Sequence, residues 1–266
     1  GFSIQPSELV KITIILALAK YYHDIKFENI KKISFLFFPF LILIIPFAFV
    51  VIQPDLGTSL SIIILGAFIL FAAGVRIWKF LLGIMATIIS IPIFLQYIKP
   101  YQRDRIVSFL NPESDPLGQG YQLIQSKIAL GSGGATGKGF LQGTQSYLEY
   151  LPEKQTDFIF TLIGEEFGFL GTIFIILIFI LLIAVCYFIS IKCFHTFGRI
   201  LALGVASNVF IYVFMNIAMV SGLMPVVGIP LPLISYGGSV MLSIMISMGL
   251  VLNVEINYNL KKLNNA

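Results

Sequence analysis

The chain has 266 residues, 58% of them hydrophobic and only 11% charged, with a formal net charge of +4 and a mean hydropathy of +0.95. Soluble domains carry about twice that charged fraction, so the composition excludes an ordinary water-soluble fold. The positive balance comes from loops between apolar stretches, where it argues membrane orientation and gives no evidence for nucleic acid.

A bilayer span needs about 20 mainly apolar residues. Seven stretches fit: 4–22, 33–52, 58–74, 80–98, 158–189, 197–222 and 233–256. They predict an all-α, polytopic helical membrane protein with seven transmembrane helices in a single domain, because backbone in lipid must satisfy its own hydrogen bonds. The chain starts at Gly1 and enters a span almost at once, without a charged leader, which predicts further spans upstream. Lys and Arg fill the short loops after spans one, three and five and follow span seven, whereas 53–57 and 223–232 carry neither. By the positive-inside rule the C-terminus is cytoplasmic and the loop at about 99–157 lies outside.

In the first span, Glu8 and Lys11 stand three apart in QPSELVK, one helical turn, so they can pair or can present Lys11 to a phosphate in a cavity. Asp55 in QPDLGTS is placed to cap the helix that starts near Thr58. The long loop carries Lys99, Arg103, Arg105, Lys127, Lys138 and Lys154. Arg103-Asp104-Arg105 can meet a pyrophosphate, which guanidinium groups bind bidentately, or a lipid headgroup. Gly131-Ser132-Gly133-Gly134 and Gly137-Lys138-Gly139 have the composition of a phosphate cradle without matching the nucleotide P-loop pattern.

Asp157 ends this loop, where LPEKQTDFIF enters the fifth span. A carboxylate there either caps the helix or serves chemistry at the membrane surface. Glu165 and Glu166 follow eight and nine residues later; at about 100° per residue Glu165 falls roughly 80° from Asp157 and Glu166 opposite it. Cys186 and Cys193 read as buried thiols without a bridge, and His23 and His195 as surface residues in basic loops. The segment 224–238, MPVVGIPLPLISYGG, holds three prolines and three glycines at a span entrance, and irregular backbone at that depth must be buried in protein or line a cavity.

QPSELVK, QPDLGTS, FLNPESDPLGQGYQLIQSKIALGSGG, GFLQGTQSYLEYLPEKQTDFIF, GEEFGFLG and GLMPVVGIPLPLISYGG, in this order, resemble the SEDS family from the first residues to about residue 257. The GTQS element resembles the RodA branch more than the FtsW branch. Gln155 stands where the family commonly has His, and Ala135-Thr136 where a larger apolar pair is usual.

The resemblance implies a ten-helix fold of which this chain holds the last seven, with three helices before Gly1. It implies a peptidoglycan glycosyltransferase in the bacterial plasma membrane that polymerises lipid II during cell elongation, with inversion at the anomeric carbon. It assigns the essential acid to Asp157 and places Glu8 and Lys11 in the central cavity. Arg103, Arg105, Lys138 and Lys154 join them as candidate substrate-binding residues, with Mg2+ or another divalent cation as a candidate cofactor and the metal ligands unknown. A class B penicillin-binding protein transpeptidase is the expected partner. The competing readings are a lipid II flippase, an FtsW-type septal polymerase and an inactive scaffold.

Overall fold

The computed structural model describes residues 5–25, 32–97, 100–115, 118–147 and 155–264, and among these the regular structure is helical. In chain order the main helices are α1 (Pro6–Asp24), α2 (Phe37–Ile52), α3 (Leu56–Ala72), α4 (Ile77–Tyr97), α5 (Pro100–Leu110), α6 (Gln119–Ser132), α7 (Ile159–Lys192), α8 (Thr196–Val220) and α9 (Gly238–Asn264). Each stretch read as a span falls on a helix. The last begins at Gly238 and not at Leu233, because the residues before it form an irregular turn.

Among the described residues, Ser34–Ile52, α7, α8 and Gly238–Tyr258 are long and apolar enough to cross a membrane, with Leu56–Ala72 and Ile77–Ser90 as shorter apolar helices. The protein is a membrane protein. Its exposed side chains include Phe37, Phe40 and Phe49 on α2 and Phe174, Leu177 and Leu181 on α7. Such surfaces are stable only with lipid as solvent.

The chain groups into two compact units. One comprises Gly1–Gly83, Ile180–Ile211 and Gly238–Ala266; the other comprises Ile84–Phe179 and Tyr212–Gly237. In the first, α1 packs against α2, α3 and α9, and α2 lies along α3. Gly66 permits the close approach of α2, since a β-carbon there would meet the Leu43 side chain. Asp55 caps α3 as the sequence predicts: its Oδ1 accepts from the Thr58 amide at 3.0 Å. Cys186 and Cys193 are buried free thiols.

The second unit contains most of the long polar segment, whose described residues are largely helical. Asp115 joins its two helices, accepting from Ser108 Oγ at 3.0 Å on α5 and from the Gly120 amide at 3.3 Å at the start of α6. Beyond α6 the glycine-rich strand of chain docks on α7, which breaks at Gly168 (φ 66, ψ −161). The Lys138 and Gly139 amides donate to the Glu165 and Glu166 carbonyls at 3.0 Å each. The Phe169 and Leu170 amides donate to the Gly134 and Ala135 carbonyls at 2.9 and 3.1 Å. Four groups that the break would orphan are thus satisfied, as buried backbone requires.

Glycine is mandatory at this junction. Gly168 occupies a backbone region essentially closed to other residues, and its β-carbon would collide with the Gly137 amide nitrogen. Gly168→Ala is expected to cost about 2 kcal/mol or more and to lower the melting temperature of the detergent-purified protein. Gly131→Ala, on the exposed side of α6 with nothing near its added carbon, should leave that temperature unchanged or raise it.

Candidate functional site

Asp157 lies in the turn at residues 155–158, half-buried, two residues before the first helical residue of α7. Its position is set through the backbone. The Gln155 carbonyl accepts from the Tyr236 amide at 2.9 Å, the Thr156 carbonyl from Ser235 Oγ at 2.6 Å, and the Asp157 carbonyl from Asn216 Nδ2 at 2.8 Å. Three consecutive peptide groups are therefore gripped by α8 and the Pro-rich segment.

The grip is itself braced. Asn216 is fully buried and donates a second bond to the Ile229 carbonyl at 2.7 Å. Ser235 Oγ accepts from the Leu231 amide at 2.7 Å. Gly228 (φ +70) faces the carboxylate: a β-carbon built there would stand 3.3 Å from Asp157 Oδ2. One turn into α7, Thr161 Oγ1 shares a 2.7 Å hydrogen bond with Ser126 Oγ of α6, which donates to the Val220 carbonyl at the end of α8. The irregular backbone at 224–238 is thus packed against protein around an acid, the condition under which such backbone is tolerated in a membrane.

Lys138 and Glu165, 27 residues apart, form an ion pair of 2.8 Å. Glu165 is fully buried, and the same Oε1 accepts from the Gln145 amide at 2.9 Å and Thr144 Oγ1 at 3.2 Å. The carboxylate that the helical angle placed near Asp157 therefore anchors the GTQS element. The glycine-rich run with the composition of a phosphate cradle spends the Lys138 and Gly139 amides on the break in α7.

Arg103 and Arg105 both lie on α5, the first exposed and the second half-exposed. At two residues' separation they leave the helix about 200° apart around its axis, so each would meet a phosphate from its own side. Lys154 lies outside the described residues. In the other unit, Glu8 and Lys11 are both buried and paired at 2.9 Å on α1, as their spacing predicts. Among the described residues no three His, Cys, Asp or Glu side chains gather into a cation cage.

Reading by residue type missed Asn216, Ser235 and Gly228. Asn216 carried a signal, since a lone carboxamide in the apolar run FIYVFMNIAMV must find partners in lipid. The roles of Ser235 and Gly228 depend on contacts about 70 to 80 residues away in sequence and left no local trace.

The profile of the FtsW/RodA/SpoVE family, described as cell cycle proteins, matches residues 1–260. The chain is 44% identical over 255 residues to the peptidoglycan glycosyltransferase MrdB of Escherichia coli K12, covering 94% of this chain and 68% of that protein. Its fold superposes on a chain of a peptidoglycan synthase complex that coordinates polymerization and crosslinking. There the TM-score is 0.80 and the identity 32%, over 97% of this chain and 71% of the other. The rod shape determining protein RodA of Thermus thermophilus gives a TM-score of 0.66 at 25% identity, over 97% and 67% of the two chains. The order of motifs, the all-helical membrane fold and these likenesses agree: the chain belongs to the FtsW/RodA/SpoVE family, the SEDS family its sequence resembles.

Proposed function

We propose that this chain is a peptidoglycan glycosyltransferase of the RodA type that polymerises lipid II during cell elongation, with Asp157 as the general base. The observation that carries the reading is the clamp of three successive carbonyls. It holds one half-buried carboxylate at a fixed place, against a glycine, at the start of a membrane-spanning helix. The relatives' names and the peptidoglycan synthase likeness support the activity.

In the reaction, a sugar hydroxyl of one lipid-linked disaccharide attacks the anomeric carbon of the glycan carried on undecaprenyl pyrophosphate. The new C–O bond forms as the old one breaks, and the pyrophosphate departs with the electron pair. The hydroxyl proton passes to Asp157. A carboxylate with an ordinary pKa near 4 is a weak base towards an alcohol, yet the attacking oxygen becomes acidic as it bonds to carbon. Position therefore matters more here than basicity. One base and no protein nucleophile give a single displacement with inversion.

Arg103 and Arg105, with Lys154, are the cations assigned to a substrate pyrophosphate, and Lys138 would join them by exchanging its bond to Glu165. Lys11, in the other unit, is assigned separately to a substrate phosphate, for which it would exchange Glu8. A divalent cation such as Mg2+ commonly needs one or two protein carboxylates besides substrate phosphates. Such an ion would offset phosphate charge; no step above depends on it. The long segment at 99–157 is assigned to the outer face of the plasma membrane. A class B penicillin-binding protein is the assigned partner, by analogy with the complex that couples polymerization to crosslinking.

The full-length protein, reconstituted with its transpeptidase and fed purified lipid II, should make glycan polymer. Asp157→Ala should lower the rate by about 10²–10⁴, the range for loss of a general base, with expression and melting temperature preserved. Polymer made at the normal rate would remove Asp157 from this role. Lipid II moved across the bilayer without polymer would make the protein a transporter.

Gly228→Ala is expected to act more mildly. The added methyl meets Asp157 Oδ2 and sits on a left-handed backbone, so it should cut the polymerisation rate by about tenfold, as expected for a misplaced reacting group. Lipid II binding, measured separately, should change little.

A further inference from the structure

Phe140 and Leu141 form the tip of a tight turn closed by the Gln142 amide donating to the Gly139 carbonyl at 3.1 Å. They are 68% and 71% exposed. Leu141 has φ +60, a left-handed conformation that a leucine enters only at a cost. The turn thus spends backbone strain to push out two large apolar side chains that stay mostly exposed among the described residues. In water that arrangement is unfavourable twice over.

The surroundings say what covers the tip. The Phe140 ring stands 6.2 Å from that of Phe167, next to the break in α7. Phe169, Leu170 and Phe174 continue the exposed apolar surface down the same helix. From Phe169 to Lys192 that helix rises about 36 Å at 1.5 Å per residue, against a hydrocarbon core of about 30 Å. With Lys192 at one membrane surface, the break and the Phe140–Phe167 pair reach the level of the opposite one. Lys138, two residues before the tip, keeps its ammonium on Glu165 and Thr144 and away from the apolar end.

We propose that the 139–142 turn is a membrane anchor: Phe140 and Leu141 insert among lipid acyl chains beside the broken end of α7. The turn is tied to the first segment of α7 by the Lys138–Glu165 ion pair and the Gly139–Glu166 hydrogen bond. Insertion therefore fixes the height of that segment relative to the lipid surface. The inference depends on α7 spanning the bilayer and not on the assignment of Asp157.

The test is site-directed spin labelling of the full-length protein in phosphatidylglycerol/phosphatidylethanolamine vesicles. Native cysteines are replaced, and Phe140→Cys, Leu141→Cys and, as an exposed polar reference, Thr136→Cys are labelled one at a time. The labels at 140 and 141 should collide with molecular oxygen several-fold more, relative to a water-soluble nickel chelate, than the label at 136. Equal ratios at all three positions would show an aqueous turn and overturn the proposal. Shielding of 140 and 141 from both reagents would show a protein partner over the tip and overturn it as well. Two independently labelled positions keep the result readable if one variant fails to fold.

Discussion

A helix that breaks inside a membrane protein must find new partners for the amides and carbonyls it abandons, and the break in α7 depends on meeting that need. The chain at 134–139 lies across the break and supplies two carbonyls to the Phe169 and Leu170 amides and two amides to the Glu165 and Glu166 carbonyls. Gly137 and Gly168 lie so close that a β-carbon on Gly168 would strike the Gly137 amide nitrogen. What reads as a flexible glycine-rich stretch is therefore a fixed splint. It lets a short segment, Ile159–Phe167, be aimed separately from the long membrane-crossing remainder, and that segment begins beside Asp157.

The far end of the segment is held by a different device. Asn216, Ser235 and Tyr236 reach the carbonyls of three consecutive residues, so the backbone of the turn bearing Asp157 is fixed. Each such bond is worth about 1 kcal/mol net in water. The bonds that fix Asp157 run to its main chain, whereas those at Glu165 run to its carboxylate, which anchors the GTQS element. That contrast separates two carboxylates only eight residues apart more sharply than their helical angle does.

The fold class was legible because lipid imposes a simple rule on the sequence: long apolar runs, few charges, and basic residues in alternate loops. Asp55 and the Glu8–Lys11 pair were legible for a related reason, since their partners lie three residues away. Long-range geometry was not. The Lys138–Glu165 pair spans 27 residues, and Gly228 meets Asp157 across about 70, so no periodicity announces either. At 131–139, glycine and lysine have the composition of a phosphate cradle, and composition gave no sign that the amides of Lys138 and Gly139 serve a broken helix. The entrance to the last span, read from Leu233, was set too early because apolar residues in a Pro-rich turn count as span in any hydropathy reading.

The Glu8–Lys11 pair puts a condition on any role for Lys11. Both side chains are buried, and Asp55 is near enough to act electrostatically on the ammonium. A buried ion pair is weak evidence for stability, since desolvation offsets much of the attraction, so stability alone is a poor reason for a membrane helix to carry this one. Yet an anionic ligand gains little from a lysine already neutralised. For Lys11 to serve a pyrophosphate it must trade Glu8 for the ligand, at least in part, and Glu8 must then take a proton or another donor.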